Sequence, residues 1–171
     1  MKRHTTPLRL ALAAILALVT LATAAPAHAA APTPAKPEVV MHPDGSWEIR
    51  DPATVDYPVS YCKGTTHGPK MISTLTLEFG GQQTCDNSGD WPHRIVVELQ
   101  STCADIWCLI FQPEGELDSH WTMGRVTTTT GGQGCDNTDR RKYRLVVEVY
   151  ARGVYLDTVV GSNEPILACS M

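Results

Sequence analysis

Gly80-Gly81-Gln82-Gln83-Thr84-Cys85-Asp86-Asn87 leads into Arg94-Ile95-Val96-Val97-Glu98-Leu99, and Gly131-Gly132-Gln133-Gly134-Cys135-Asp136-Asn137 leads into Arg144-Leu145-Val146-Val147-Glu148-Val149. The spacing from cysteine to arginine is nine in both copies, and one residue is dropped ahead of Cys135. A turn–cysteine–strand unit that occurs twice describes how a chain is assembled, because each unit buries its apolar face against its twin. Polar residues able to do chemistry are not shared: His93 stands where Tyr143 does, and Asp90 where Arg140 does. The repeat therefore reads as framework. Function is expected in what is not repeated, the segment before it and the loops between its copies.

Outward from the repeat the pattern is β. Met71 to Phe79 alternates with period two, placing Ile72, Thr74, Thr76 and Glu78 on one face and Met71, Ser73, Leu75, Leu77 and Phe79 on the other. Gly80-Gly81 is expected to end that strand, and the next runs from about His93 to Leu99. In the second copy Thr122 to Thr130 again ends in Gly-Gly and is followed by Tyr143 to Ala151. Further strand candidates are Ile106 to Phe111, Val154 to Val160 and Pro165 to Cys169. The fold class implied is all-β: a disulfide-stapled sandwich or barrel built from two pseudo-symmetric repeat units, near 71–100 and 122–151.

Three regions follow one another. Residues 1–29 read as an export signal, with Lys2, Arg3 and Arg9 at its start, an apolar run from Leu10 to Leu21, and the small–any–small pattern Ala27-His28-Ala29. That run is too short to span a bilayer, and no later stretch approaches the roughly twenty residues required. Residues 30–56 read as an extended N-terminal arm and linker, opened by Ala31-Pro32-Thr33-Pro34-Ala35-Lys36-Pro37. Residues 57–171 form the disulfide-bonded β domain. The chain carries 14 basic and 18 acidic residues; without the signal's three basic ones the balance is 11 against 18, about −7. So acidic a protein has no footprint for nucleic acid or anionic membrane. Its one basic cluster, Arg140-Arg141-Lys142 with Arg144, reads as a solvated loop face, with an acidic patch on a partner as the sharper option.

All six cysteines, Cys62, Cys85, Cys103, Cys108, Cys135 and Cys169, follow the signal. An even count in an exported chain reads as three disulfides, and no C-x-x-C or C-x-x-H spacing supports a metal site. Pairing equivalent cysteines equivalently favours Cys62–Cys85, Cys108–Cys135 and Cys103–Cys169; a local Cys103–Cys108 bridge is the competitor.

Three constellations invite a chemical reading, and each has a plainer one. Asp86-Asn87-Ser88-Gly89-Asp90 alternates oxygen side chains as calcium loops do, yet Asp136-Asn137-Thr138-Asp139-Arg140 breaks the register, so Asx turns are favoured. His42, His67, His93 and His120 are too far apart for a local metal pair, and Ser119-His120 lacks a nucleophile elbow. His93 is expected to be a solvated residue at a strand start. Glu98 and Glu148 occupy the same place in both copies, as a carboxylate dyad would require. Alternation puts each on a face with Arg94 or Arg144, so an Arg–Glu pair along the strand is favoured. No catalytic residue, cofactor or metal is expected. Trp91, Trp107 and Trp121 are the only features favouring a hydrolase or sugar-binding module.

The cysteine-free stretch before the domain is too apolar for an idle linker. Val39-Val40-Met41 and Trp47-Glu48-Ile49 flank an Asp44-Gly45 turn signal. Two readings stay open: a first hairpin of the domain, or an arm that inserts into a partner by strand addition. In the second, Val39, Val40, Met41, Trp47 and Ile49 are the partner-binding residues, since buried aromatic and aliphatic anchors carry most interface energy.

In signal, arm and overall size the chain resembles the small adaptor subunit of the secreted umbrella toxin particles of filamentous soil bacteria. It does not match the subtilisin-inhibitor family, which has a different cysteine pattern and lacks the repeated unit. The resemblance implies a compact β protein joining a lectin subunit to a large repeat-bearing toxin subunit. Residues of about 31–56 would then lie in a cleft of the lectin subunit, with the disulfide domain gripping the larger one. The expectation is a secreted, extracellular, non-enzymatic adaptor that binds other secreted proteins. The alternative is a secreted protease inhibitor presenting an exposed disulfide-held loop.

Overall fold

The structure, a computed structural model, describes residues 36–50, 60–85, 92–105 and 107–171. Ten strands follow in chain order: β1 (Glu38–Met41), β2 (Trp47–Arg50), β3 (Ser60–Ser73), β4 (Thr76–Cys85), β5 (His93–Cys103), β6 (Gln112–Asp118), β7 (Val126–Gly134), β8 (Asn137–Ala151), β9 (Val154–Val160) and β10 (Ile166–Ser170). One antiparallel sheet runs β1-β2-β3-β4-β7. The other centres on β5 and β8, with β6 beside β5 while β10 and β9 share the far edge of β8.

Alternation builds the core from both sheets. Trp47, Ile49, Leu77 and Phe79 point inward from the first, and Ile95, Val97, Leu99, Leu145, Val147 and Val149 from the second. Each such side chain contributes about 1.5–3 kcal/mol when fully removed from water. The repeated segments meet one another. Val97 stands opposite Val147 in the β5–β8 ladder, and Phe79 opposite Gly131 in the β4–β7 ladder. The glycine pairs do not end strands, as the sequence had led one to expect; they lie inside β4 and β7. The reason is close approach rather than turning. A Cβ on Gly81 would press on Ile95 and Val97 at 3.2 Å, and one on Gly131 would meet Leu117 at 2.6 Å.

Residues 38–50 are the first hairpin of the domain, which corrects the arm assignment for this part of 30–56. Asp44 turns it, its Oδ1 accepting from the Ser46 N–H at 2.9 Å and the Ser46 hydroxyl at 2.6 Å. β2 then pairs with β3, setting Trp47 opposite Gly64. Only glycine fits there, because a Cβ on Gly64 would lie 2.0 Å from the indole. The indole N–H donates to Gln83 Oε1 at 3.1 Å, so the buried ring keeps a polar partner. Residues 30–35 and 51–56 lie outside the described residues.

Other strand assignments shift for identifiable reasons. Met71 to Phe79 is two strands, with Met71 opposite Leu77 and a turn at Thr74-Leu75. The Ser73 hydroxyl accepts the Leu75 N–H at 3.3 Å and replaces the usual Gly or Asn turn signal. β6 escaped notice because Pro113 and Gly115 interrupt its pattern, which a sheet edge tolerates. Residues 107–111, expected as a strand, form none.

Pairing of the cysteines follows topology, not repeat symmetry. Cys62–Cys85 bridges directly opposed residues of β3 and β4, as expected. The other two bridges are Cys103–Cys108 and Cys135–Cys169, which corrects the symmetric pairing. β3 lies beside β4, but among the described residues no strand lies outside β7, and Cys135 finds its partner on β10. The Asp136 N–H bonding to Ser170 O at 2.7 Å holds that corner.

Two outcomes follow. A chain trimmed to begin at Tyr57 loses Trp47 and Ile49 from the core, and its thermal unfolding, followed by circular dichroism, is expected to lose cooperativity. Tyr143 is fully buried and its hydroxyl donates to Cys169 O at 2.6 Å. Burial, with the Glu114 charge behind it, pushes its pKa up to about 12 from 10.0. Folding therefore favours the neutral phenol: this stability is complete below pH 10 and is lost as pH rises towards 12. Tyr143→Phe should be less stable at pH 7 by about 1 kcal/mol for the lost hydrogen bond. It should also lose less stability than the parent between pH 10 and 12, as read by denaturant titration.

Candidate functional site

The largest exposed apolar side chains gather in one short segment. β5 ends at Cys103, β6 starts at Gln112, and the Cys103–Cys108 bridge closes the loop between them. Trp107 is 84% exposed, Leu109 83% and Ile110 75%. Single exposed hydrophobes are ordinary on a protein surface, but a contiguous group marks an interaction site.

The loop is rooted from several sides. The Cys108 N–H donates to Asp105 O at 3.1 Å, and the Thr102 hydroxyl to Cys108 O at 3.4 Å. Phe111, half-buried at its end, lies beneath the Arg144 guanidinium at 4.0 Å, and Arg144 Nε donates to Gln100 Oε1 at 2.8 Å. Ser101, buried two residues before Cys103, donates its hydroxyl to Glu114 of β6. The base is thus fixed to rigid strands while the apolar tip stands clear.

The basic cluster borders the root of the loop. The β5–β8 register sets Arg141 opposite Cys103 and Lys142 opposite Thr102, with Arg144 over Phe111. Arg141 donates to the Ser170 hydroxyl at 3.0 Å, Lys142 pairs with Glu164, and Arg140 is exposed.

The residues expected to bind a partner are divided by the structure. Trp47 and Ile49 are fully buried in the core and out of a partner's reach. Val39 and Val40 are half-buried, and Met41 is 47% exposed. Trp107 and Trp121 do not form a common platform. Trp91 lies outside the described residues, Trp107 stands at the Cys103 end of β5, and Trp121 lies near the His93 end. There the edge of Trp121 meets Tyr150 at 5.7 Å and next to it Tyr150 meets Tyr155 at 5.6 Å.

The polar candidates fall into place individually. His93 is buried, not solvated: its Nε2–H donates to Gly124 O at 2.7 Å and its Nδ1 accepts from Gln83 Nε2 at 3.3 Å. Arg94 pairs with Asp118 through two bonds of 2.7 Å, and not with Glu98 as expected. Burial works against the Asp118 charge, but Arg94 and the His120 backbone N–H outweigh it and hold the carboxyl below its ordinary range. Glu98 accepts from Gln100, and Glu148 from the Tyr150 hydroxyl. The register places Glu98 opposite Val146 and Glu148 opposite Val96, so the two carboxylates do not face each other. Ser119 Oγ accepts the Ile95 N–H at 2.9 Å and donates to His120 O, which leaves it facing backbone and not the imidazole. Asn137 Oδ1 accepts the Asp139 N–H at 2.7 Å, the expected Asx turn; Asp86 to Asp90 lie outside the described residues. His42 lies 3.7 Å from Glu48, and His67 bonds Thr130 at 2.9 Å.

Comparison with known family models, curated proteins and solved structures yields no match. The signal for the loop was present in the sequence, where Trp107, Leu109, Ile110 and Phe111 surround Cys108. The unbroken apolar run from Ile106 to Phe111 made it look like a strand.

Loop-closure entropy separates the three bridges. Their separations of 5, 23 and 34 residues correspond to about 2, 3.5 and 4 kcal/mol. The shortest therefore shapes its loop more than it stabilises the fold. Cys103→Ser with Cys108→Ser is expected to cost about 2 kcal/mol and keep cooperative unfolding, while Cys62→Ser with Cys85→Ser costs about 3.5 kcal/mol. Denaturant titration measures both, and amide exchange within 104–111 should accelerate only in the first.

Proposed function

We propose that this chain is a secreted, non-enzymatic protein-binding module whose contact is the disulfide-held loop 104–111. The observation that carries the reading is the exposure of Trp107, Leu109 and Ile110 on a loop whose base is bonded to β5 and lies against Arg144 of β8. A tip ordered before binding loses little conformational freedom on association, and tryptophan is a frequent hot-spot residue. The three disulfides are consistent with an extracellular protein. The repeated halves serve as scaffold in this reading: equivalent strands pair about Val97 and Val147, and the loop emerges from a part the two halves do not share.

The partner offers an apolar cleft with an acidic rim, in keeping with the tip and its basic flank. An extracellular assembly, including a toxin particle of the kind the sequence resembles, supplies such a partner. Within it the domain would join larger subunits through the loop, with Met41 and the residues before β1 as a second contact. One observation favours a second reading. A protruding loop closed by a disulfide also has the form of a protease inhibitor's binding loop.

Affinity capture from the producing culture's medium, with Trp107→Ala and Leu109→Ala beside the parent, tests the proposal. A co-purifying secreted protein retained by the parent and lost by both variants is the expected result, with retention falling as salt is raised. Equal retention by parent and variants removes the loop from the interface. Stoichiometric inhibition across a panel of extracellular proteases, abolished by the same substitutions, would establish the inhibitor reading instead.

A further inference from the structure

Sheet edges expose unpaired backbone groups, and natural proteins blunt them with charge, proline, bulges, short length or covering side chains. Nearly every edge of this sandwich is blunted so. β1 has four residues and begins at Glu38. β6 carries Pro113, Glu114, Glu116 and Asp118, and its register shifts between Leu99 and Gln100. β9 contains Asp157, shifts register at Val149/Tyr150, and has its Leu156 carbonyl capped by Lys36 Nζ at 2.9 Å. β10 has five residues and a shift between Ala168 and Ser170.

β7 has none of these devices. It runs nine residues, Val126-Thr-Thr-Thr-Thr-Gly-Gly-Gln-Gly134, without charge or proline, and pairs β4 with no register shift. Thr128, Thr130, Gly132 and Gly134 are exposed, and the glycines leave the backbone bare. Every second residue of such a strand turns its N–H and C=O away from β4. The neighbouring place is also conspicuous in the topology. β4 is flanked by β3 on one side and β7 on the other, whereas among the described residues β7 has β4 alone.

We propose that β7 is where two copies of this chain join, antiparallel about a two-fold axis at Thr130, merging two five-stranded sheets into one of ten. Charge selects this occupant and this direction. The chain carries a net charge of −4, so copies repel at most surfaces, yet β7 brings no charge against its own image. Arg125 precedes the strand and Asp136 follows it by two residues. Antiparallel pairing centred on Thr130 sets the Arg125 end of each copy beside the Asp136 end of the other, whereas parallel pairing would set like against like. Thr130 faces Thr130 on the axis, a favourable cross-strand pair.

Sedimentation velocity over a concentration series, paired with hydrogen exchange, tests this on the purified protein. The expected result is a reversible shift from monomer to twice its mass, with alternate amides of 126–134 gaining protection as concentration rises. Thr130→Lys sets two ammonium groups face to face, and Thr128→Lys places a lysine at the edge. Each should weaken association by roughly tenfold. Both side chains are exposed. The far-ultraviolet circular dichroism and melting of Thr128→Lys should match the parent, while Thr130→Lys gives up its bond to His67 and should stay folded with a slightly lower melting point. If one variant misfolds, the other and the parent's exchange pattern decide. A parent that remains monomeric to about a millimolar overturns the proposal. So does a dimer unaffected by a folded lysine variant, or one abolished by Trp107→Ala, which would assign association to the 104–111 loop.

Discussion

Eleven consecutive residue pairs join β5 to β8, from His93 opposite Ala151 to Cys103 opposite Arg141, and the rest of the molecule is built onto them. The ladder has no bulge, so its alternation is uninterrupted: Ile95, Val97 and Leu99 face the core beside Val149, Val147 and Leu145. A slip by one residue would turn these inward residues to the outer face, so the buried pattern fixes the register. Once it is fixed, β6 has a place on one side, β9 and β10 have theirs on the other, and the inner face demands a second sheet.

That second sheet is held in place by a polar thread as well as by apolar contact. The Trp47 indole donates to Gln83, Gln83 donates to His93 and to Tyr150 O, and His93 donates to Gly124 O. Gln83 and His93 are fully buried, so each unmade bond would cost about 1–3 kcal/mol. The thread runs from the first hairpin through β4 to β5 and on to the segment before β7. Apolar packing tolerates sliding of one sheet over the other more readily than this sequence of directed bonds does. Orientation of the two sheets is thereby specified by geometry, while most of the stabilisation comes from burial.

Much of the framework was legible in the residues. The apolar strands around Val97 and Val147 announced themselves by repetition, β9 by alternation from Val154 to Val160, and the β1–β2 turn by Asp44-Gly45. What could not be read depends on neighbours distant in sequence. Gly80-Gly81 looks like a strand end when taken alone, and only the approach of Ile95 and Val97 explains why glycine sits in mid-strand. Thr74-Leu75 carries no turn signature; the Ser73 hydroxyl supplies it. Cys135 had an equivalent in Cys85, but its partner lies on β10, which the order of the strands brings to it and the sequence does not show. At the candidate site, Trp107 and Leu109 were visible as apolar residues, while their exposure follows from the short Cys103–Cys108 ring, which holds the chain out of the sheet.

The two copies of the sequence unit lead into different surroundings where the surface becomes distinctive. After β8 a two-residue turn at Arg152-Gly153 returns the chain at once into β9, but after β5 the chain makes the longer excursion that carries Trp107, Leu109 and Ile110. Among the described residues β4 has β3 on its far side, and β7 has no strand there. Both departures leave the central ladders untouched, since each lies beyond the last paired residue or along an outer edge. The β5–β8 ladder can therefore accept an apolar loop at one end and the bare outer side of β7 elsewhere without disturbance, because both lie away from the inward residues around Val97 and Val147.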